Sequence, residues 1–302
     1  MIVDAATLYY RAYYALPESM TAPDGHPHNA VRGFLQTITR LLTRFEPRGL
    51  VAAWDVDWRP QWRVDLLPSY KTHRVATDDD IAALEEVPDT LGPQIGAIAD
   101  LLTAWGIPVL GAEGAEADDV IGTMVHRHDA VIVVSSDRDL VQVVSDEASL
   151  LQMTSGGMDK WPLLDPESVR TRYGVDPGSY VDFAILRGDP SDGLPGVRGI
   201  GEKTAAALID AFGSLEALLA SAAEDPVRPL TPRLATALVA SVDYLAAARS
   251  VVTLRTDVAL PDEVDRLPLR VADPERLGEI AREWGVTRFV DDAIAAAHTE
   301  LA

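Results

Sequence analysis

The first half of the chain alternates short apolar runs with longer amphipathic stretches, and this alternation restricts the fold more than any other feature. The apolar runs lie at 1–4, 50–55, 107–110, 131–135 and 149–153. Helical patterns separate them at about 29–45, 79–105 and 116–128. Continuous apolar strands between helices are typical of a parallel sheet covered on both faces. We therefore predict an α/β fold for this half.

From about residue 165 onward, strand signals nearly vanish and helical patterns replace them. Helices are predicted at 166–173, 179–187, 202–212, 214–222, 232–249 and 273–298. The connection between two of them is marked by Pro226, Pro229 and Pro232. A boundary near Pro162–Pro166 thus divides the chain into an α/β domain, 1–164, and a helical domain, 165–302.

Most of the informative acidic residues close or closely follow an apolar run. They are Asp4, Asp55, Glu116, Asp118, Asp119, Asp137, Asp139, Asp189 and Asp192. Acids at the carboxyl ends of buried parallel strands converge where open α/β sheets bind their ligands. So many carboxylates would repel each other unless cations lay between them. The pattern predicts a site for hard divalent metals.

Each acidic segment also has a structural interpretation, which the sequence leaves open. Glu116, Asp118 and Asp119 open a helical pattern, where acids complement the helix dipole. The 135–139 segment fits an ordinary strand-to-helix turn with an Asp cap, and the 188–193 segment fits a solvated loop. Capping does not explain the acids at the ends of the other strands.

Composition excludes several chemistries. The chain has no Cys, which removes disulfides, thiolate zinc sites and cysteine nucleophiles. No run approaches the roughly 18 apolar residues of a membrane-spanning helix, so no membrane partner is expected. The net charge of −21 argues at first against a polyanionic partner. Part of that charge would belong to the metal site, however, and basic residues cluster locally at Arg59/Arg63/Lys71/Arg74 and Arg198/Lys203.

A glycine-rich segment, residues 194–205, follows the last of these acids. Gly196, Gly199 and Gly201 allow tight turns and let backbone N–H groups approach a phosphate. A helix beginning at about 202 adds a favourable dipole for an anion. The pattern resembles the helix–hairpin–helix class of elements, which hold a DNA backbone without reading bases.

Taken in order, these motifs resemble the 5′-nuclease family, which includes the N-terminal domain of bacterial DNA polymerase I, phage 5′-exonucleases and flap endonucleases. The matching motifs are Val3-Asp4, Tyr10-Arg11-Ala12-Tyr13, Trp54-Asp55, Tyr70-Lys71-x-x-Arg74, Glu116-Ala117-Asp118-Asp119, Asp137-Arg138-Asp139 and the segment 188–201. The resemblance covers nearly the whole chain. No polymerase domain follows, so we expect a stand-alone member.

The resemblance implies a PIN-like nuclease domain, with a helical arch at about 71–102, and a helix–three-turn–helix element at about 185–222. The implied reaction is hydrolysis of a DNA phosphodiester near a 5′ flap, nick or recessed end. Two or more Mg²⁺ or Mn²⁺ ions, roughly 3.5–4 Å apart, would share the scissile phosphate. Family members also bind K⁺ in the glycine-rich turn, which the pattern here permits.

The resemblance also implies roles for individual residues. All nine acids belong to the metal cluster, with Asp118, Asp137 and Asp139 as its central members. Lys71 would lie near the scissile phosphate, with Arg11 and Arg74 on the same path and Tyr70 stacking on the terminal base. Duplex contacts are expected from Gly196, Val197, Arg198, Gly199, Ile200, Gly201 and Lys203. Taken alone, each basic residue also fits a surface ion pair, and Tyr70 fits core packing.

Three departures from the family pattern are visible: Ala5 for Gly, Gly193 for Asn, and Arg138 for Lys. None removes a carboxylate. The first strand has only three residues before Asp4, so we expect either a start further upstream or an unusually brief strand.

The implied setting is DNA replication and repair in a bacterial cytoplasm, by a monomer that works alongside DNA polymerase and ligase. RNA/DNA hybrid primers are a further expected substrate. Two alternatives remain open, a PIN-type ribonuclease and a catalytically silent binder of DNA junctions. The helical domain and the glycine-rich turn disfavour the first, and the complete set of acids disfavours the second.

Overall fold

The computed structural model describes residues 1–75, 87–224, 226–261, 266–268 and 270–300. Residues 76–86 lie outside the described residues. The predicted arch, 71–102, and the predicted helix, 79–105, both extend into that gap.

A six-stranded sheet in the order β3-β2-β1-β4-β5-β6 forms the centre of the first half. Its strands are β1 (Ile2–Asp4), β2 (Val51–Ala53), β3 (Val109–Leu110), β4 (Val131–Ser135), β5 (Ala148–Gln152) and β6 (Leu163–Leu164). Neighbouring strands from β3 to β5 are parallel, which confirms the predicted parallel sheet. The edge strand β6 is antiparallel to β5, a feature that the sequence pattern does not indicate. The brief β1 lies centrally, where Ile2 pairs with both Val51 and Val133.

Thirteen α-helices lie in the described residues. They are α1 (Ala5–Ala15), α2 (Asn29–Phe45), α3 (Gln61–Leu66), α4 (Gly92–Trp105), α5 (Ala117–Arg127), α6 (Pro166–Tyr173), α7 (Tyr180–Arg187), α8 (Glu202–Phe212), α9 (Leu215–Ala223), α10 (Pro232–Val239), α11 (Val242–Val252), α12 (Pro274–Glu283) and α13 (Thr287–Ala296). No single helix in these ranges is long and apolar enough to cross a membrane. Two bent pairs, α8 with α9 and α10 with α11, reach that standard only when each pair is counted together.

Two of the predicted long helices are wrong, because each is broken into two. The predicted 232–249 helix bends by 68° between α10 and α11. The predicted 273–298 helix is interrupted after α12, where Gly285 has a φ of 62° that ends a helix without strain. The helices α1 and α3 are further elements that the sequence analysis does not predict, although the buried residues Ala5, Leu8, Tyr9, Ala12 and Tyr13 give α1 a helical spacing.

Helices cover both faces of the sheet, as the continuous apolar strands predict. On one face Val3 and Val134 pack with α1, α2 and α4, and the last two helices, α12 and α13, pack against α4 and α2. On the other face Ile2 and Val133 pack with α5 and with α7 to α11. The carboxyl ends of β1, β2 and β4 therefore lie at one sheet edge between the two helical layers.

A buried ion pair joins the helical part of the chain to this edge. Arg63, on α3, is only 1% exposed. It donates two hydrogen bonds to Asp119, at 2.7 and 2.8 Å, and its Nε donates to the carbonyl of Val251 on α11, at 3.0 Å. Asp119 also accepts from the backbone amides of Glu116 and Arg255. One guanidinium therefore connects α3, the first turn of α5 and the end of α11.

Replacing Arg63 should destabilise the fold. We expect Arg63→Met to lower the free energy of unfolding by about 3–5 kcal/mol, because Asp119 would be left buried without its counter-charge. The matched control is Arg276→Met. Arg276 pairs with Asp100 at 3.3 Å, and both side chains are at least half exposed. That loss should be about 0–1 kcal/mol. Urea denaturation of both variants in a chelator measures the two losses, and equal values would refute the structural role of Arg63.

Candidate active site

A cleft of about 420 Å³ opens at the carboxyl edge of the sheet and collects many of the predicted residues. Its acidic lining consists of Asp4, Asp55, Glu116, Asp118 and Asp137, and its basic lining of Arg11, Lys71 and Arg74. Three strands and the first turn of α5 contribute these acids. The structure therefore brings together five of the nine predicted acids and the three basic residues predicted to lie along the scissile-phosphate path around one cavity.

Asp4 is fixed by the elements on either side of it. It caps α1, so its carboxylate accepts from the backbone amide of Thr7 at 3.1 Å and from the Thr7 hydroxyl at 2.5 Å. The hydroxyl of Ser135, at the end of the neighbouring strand β4, donates to it at 2.6 Å. Thr7 and Ser135 are site residues that the sequence analysis missed, since a single hydroxyl in a helix or at the end of a strand gives no distinctive signal.

Glu116 and Asp55 organise the opposite wall. Asp55 accepts from the backbone amide of Ala117 at 2.8 Å, which holds it against the start of α5. Glu116 accepts from the hydroxyl of Tyr70 at 3.0 Å and from the Lys71 ammonium. Lys71 is only 8% exposed, so its charge is fixed within the cleft rather than free in solvent.

Tyr70 does not lie where the base-stacking expectation requires it. Its ring is only 5% exposed, and its hydroxyl is used by Glu116. The packing interpretation of Tyr70 therefore fits the structure. The exposed aromatic side chain of the cleft is instead Tyr14, which is 73% exposed at the rim and stacks with Tyr10 at 6.5 Å between ring centroids. Tyr9 and Tyr13 pack in the core.

We define the first acidic group as Asp4, Asp55, Glu116 and Asp118, and the second acidic group as Asp137, Asp139, Asp189 and Asp192. The second group lies between the end of β4 and the loop after α7. Asp137 accepts from the backbone amide of Asp139 at 2.8 Å, and Asp192 accepts from Arg74 at 3.2 Å. Arg74 also donates to the carbonyl of Ser191, so it ties the Lys71 segment to this loop.

Two predicted ligands have their carboxylate oxygens fully engaged by protein groups. Asp119 accepts from Arg63 twice and from two backbone amides. Asp189 accepts from Arg138 at 3.0 Å, from Arg187 at 3.1 Å, and from the backbone amide and hydroxyl of Ser191. Since a carboxylate offers about four acceptor positions, neither has one left for an ion in this arrangement. Of the two, Asp119 is also separated from the cleft by its pairing with Arg63.

The remaining carboxylates repel each other. Burial raises the pKa of Asp118 well above its ordinary value, and the charges of Asp137 and Asp4 raise it further. Burial likewise raises the pKa of Asp139, with Asp137 and Asp192 adding to the rise. Ionised carboxylates at this spacing are stable together only when a cation compensates them.

The donor set fits a hard divalent cation. Every ligand candidate in the cleft is a carboxylate oxygen, which suits Mg²⁺ and Mn²⁺ rather than soft metals. Buried Oδ1 of Asp139 has no hydrogen-bond partner among the described residues, so it is an available donor. Within the same ranges, no three Asp, Glu or His side chains already form a ready ion site. The carboxylates would have to draw together around an ion.

The glycine-rich turn presents a polar surface over an apolar anchor. Val197 and Ile200 are buried, so only their backbone can face a ligand. Arg198 and Lys203 are exposed, and Lys203 lies in the first turn of α8, next to the exposed Gly201 that caps this helix. Left-handed conformations at Gly196 (φ 69°) and Gly199 (φ 87°) shape the turn.

A close backbone contact fixes the loop that carries Asp192. Gly193 has a φ of 73°, and a Cβ atom on it would lie 2.0 Å from the carbonyl oxygen of Ser69. The Ser69 hydroxyl donates to the Gly193 carbonyl at 2.8 Å, and the Lys71 amide donates to the Asp192 carbonyl at 3.2 Å. The departure from the usual Asn therefore has a structural reason: this approach leaves no room for a side chain.

Comparison with known proteins gives one consistent result. Residues 1–174 match the family model of the N-terminal resolvase-like domain of 5′-3′ exonucleases, and residues 175–275 match the model of their C-terminal SAM fold. A 5′-3′ exonuclease of Mycobacterium tuberculosis is 47% identical over 298 residues, covering 95% of this chain and 93% of the relative. A 5′-3′ exonuclease of Streptomyces coelicolor is 48% identical over 289 residues, covering 95% and 96%.

The fold also resembles a solved structure. The flap endonuclease of bacteriophage T5, in a pseudo-enzyme-product complex with DNA and metal ions, superposes with a TM-score of 0.63 at 21% identity and 99% coverage of each chain. At that identity the likeness concerns the backbone arrangement, and it agrees with the predicted α/β domain followed by a helical one.

Ionisation of the buried Asp192 carboxylate should make the free energy of unfolding depend on pH. Burial raises the pKa of Asp192 from an ordinary 3.8 to about 6, with Asp137 adding to the rise and Lys71 and Arg74 opposing it. Protonated Asp192 makes its full contribution to the free energy of unfolding below about pH 4, and this contribution is lost as the pH rises through about 6. In EDTA, the stability that Asp192→Asn gains over the parent should therefore grow from pH 4.5 to pH 7.5. Urea denaturation across this range measures it, and an offset independent of pH would contradict the cause.

Proposed function

The chain belongs to the 5′-3′ exonuclease family, and from this premise we propose that it is a structure-specific 5′ nuclease acting on DNA. It hydrolyses phosphodiesters at 5′ ends and nicks and at the junction of 5′ flaps. The observation that carries the proposal is the convergence of five carboxylates and Lys71 on one cleft at the sheet edge. The T5 relative, a flap endonuclease seen with DNA and metal ions, supports the extension to flaps.

We assign Mg²⁺ or Mn²⁺ to this cleft. The ions would be held by the first acidic group together with Asp137, Asp139 and Asp192. Asp119 instead supports the start of α5 through its pairing with Arg63. Bound there, divalent ions supply an activated water and neutralise charge on the phosphate. The hydroxyls of Thr7 and Ser135 keep Asp4 pointed into the cleft, so its ligand geometry is set before an ion arrives.

Lys71 contributes a fixed positive charge beside the carboxylates. Its pKa stays well above the ordinary value: burial opposes this, but Glu116, Tyr70, Asp192 and Asp118 together outweigh it, so the ammonium form persists at neutral pH. A fixed cation at this point stabilises negative charge that develops on the phosphate. Arg11 and Arg74 extend the positive lining. Arg11 is held in place by the carbonyl of Gly156 and by the ring of Trp161.

The rim of the cleft suits an unpaired strand. Tyr14 offers an exposed aromatic face on α1, one helical turn from Tyr10. Base stacking on such a face is worth about 1–3 kcal/mol and tolerates any sequence. This agrees with a substrate that is selected by its structure and not by its bases.

Duplex DNA is assigned to the helical part. Arg198 and Lys203 are exposed beside the N-terminus of α8, where charge and backbone amides favour a phosphate.

We further assign K⁺ to the main-chain carbonyls of the 196–201 turn. Gly196 and Gly199 support this assignment, because neither residue has a side chain that could cover the carbonyls of the turn. The proposed setting is removal of 5′ flaps, including RNA/DNA primers, before a ligase seals the nick.

Neutralising one central carboxylate should abolish cleavage. With a 5′-labelled flap in Mg²⁺ or Mn²⁺, we expect Asp137→Asn to lower the rate by at least about 100-fold, because a ligand and a counter-charge are lost together. Glu279→Gln, an exposed change on α12, is the control and should cleave like the parent. Equal rates for Asp137→Asn and the parent would overturn the assigned role.

A matched RNA flap separates this proposal from a ribonuclease. Faster cleavage of an RNA substrate than of the DNA flap with the same sequence would favour the PIN-type alternative. Tight junction binding with no cleavage in any divalent ion would favour a silent binder.

The glycine-rich turn should bind phosphates without reading sequence. In Ca²⁺, we expect the Arg198→Ala, Lys203→Ala double variant to weaken duplex binding equally for different sequences. The slope of log K against log salt should fall in magnitude by about 2, since two phosphate contacts are lost. Fluorescence anisotropy at several salt concentrations measures the slope. An unchanged slope would move the duplex contact elsewhere.

A further inference from the structure

The guanidinium group of Arg187 lies next to the second acidic group. It ends α7, and its side chain is only 10% exposed. The guanidinium lies 5.1 Å from the ring centroid of Phe183, and its Nε donates to the carbonyl of Gly188 at 3.1 Å. One amino nitrogen donates to Asp189 at 3.1 Å. These contacts hold the charge in one place.

Helix α7, which ends at Arg187, packs against the segment 139–143, which begins with Asp139. The other amino nitrogen of Arg187 is buried without a hydrogen-bond partner among the described residues, and so is Oδ1 of Asp139. The guanidinium charge therefore acts on Asp139 as well as on Asp189.

The two acidic groups differ in how much positive charge the protein itself supplies. In the second group, Arg74 pairs with Asp192, while Arg138 and Arg187 pair with Asp189. Four carboxylates there face three guanidinium groups. In the first group, Glu116 is the one carboxylate with an ion pair among the described residues, to Lys71 and, at 3.5 Å, to Arg63. The second group therefore has more direct pairing with arginine than the first.

We propose that Arg187 weakens divalent-ion binding at Asp137, Asp139 and Asp192 of the second acidic group. Its pairing with Asp189 holds the guanidinium beside these ligands, where its charge repels an arriving cation. A guanidinium cannot relieve this by losing a proton. This inference rests on the proposed nuclease function.

The test is a Mn²⁺ titration of the full chain by isothermal calorimetry, without DNA. We expect Mn²⁺ binding at the second acidic group to tighten by roughly 10-fold or more in Arg187→Met relative to the parent. Binding at the first acidic group, with which Arg187 forms no ion pair, should stay unchanged. Arg172→Met, a change to an exposed arginine on α6, is the control and should match the parent.

Two further variants separate charge from packing and protect the test against misfolding, which circular dichroism monitors. Arg187→Gln removes the charge but can still donate to Asp189, so it should behave like Arg187→Met. Arg187→Lys keeps the charge and should stay close to the parent. Parent-like affinities in both neutral variants would overturn the inference. If the parent itself binds no Mn²⁺ and does not cleave a flap, the proposed function fails instead.

Discussion

Mutual repulsion among buried carboxylates at one sheet edge is the constraint on which the rest of this structure depends. A parallel sheet brings the ends of β1, β2 and β4 together, so any acids at those ends are forced into proximity. Three of these carboxylates accept hydrogen bonds from fixed protein groups: Asp4 from hydroxyls, Asp55 from a backbone amide, and Glu116 from an ammonium group. Helix starts and loops are placed where they supply these partners. The cleft is thus a place where stability is given up locally, which agrees with the raised pKa values and with the proposed cation binding.

The acids divide into those whose oxygens are fully engaged by protein groups and those with an acceptor position left, and the division follows their arginine partners. Asp119 and Asp189 look equivalent to the others in sequence, yet each has its acceptor positions filled by guanidinium and backbone groups. Arg63 supports the helix start that presents Glu116 and Asp118 to the cleft. Hydrogen bonds of this kind orient ligands without touching an ion. The nuclease proposal therefore depends on the arginines almost as much as on the carboxylates.

Sequence patterns predict the sheet, most of the helices and the location of the cleft, because strand ends in a parallel sheet have only one place to meet. They do not predict which acids are free, since that depends on arginines such as Arg63 and Arg187, whose neighbours in space are distant in the chain. Tyr70 illustrates the same difficulty: its motif suits base stacking, but its hydroxyl is needed by Glu116. Short helices and the two-residue edge strand β6 escape detection because they contain too few residues for a period to show.

The contact between Gly193 and Ser69 joins two segments that lie 124 positions apart in the chain. Because the obstructing atom is a main-chain oxygen, no replacement at position 69 can make room for a side chain at position 193. A side chain at position 193 would therefore require a shift of the backbone that carries Tyr70 and Lys71. Because the Lys71 amide donates to the Asp192 carbonyl at the same place, a displacement of either segment would also move a site residue of the other.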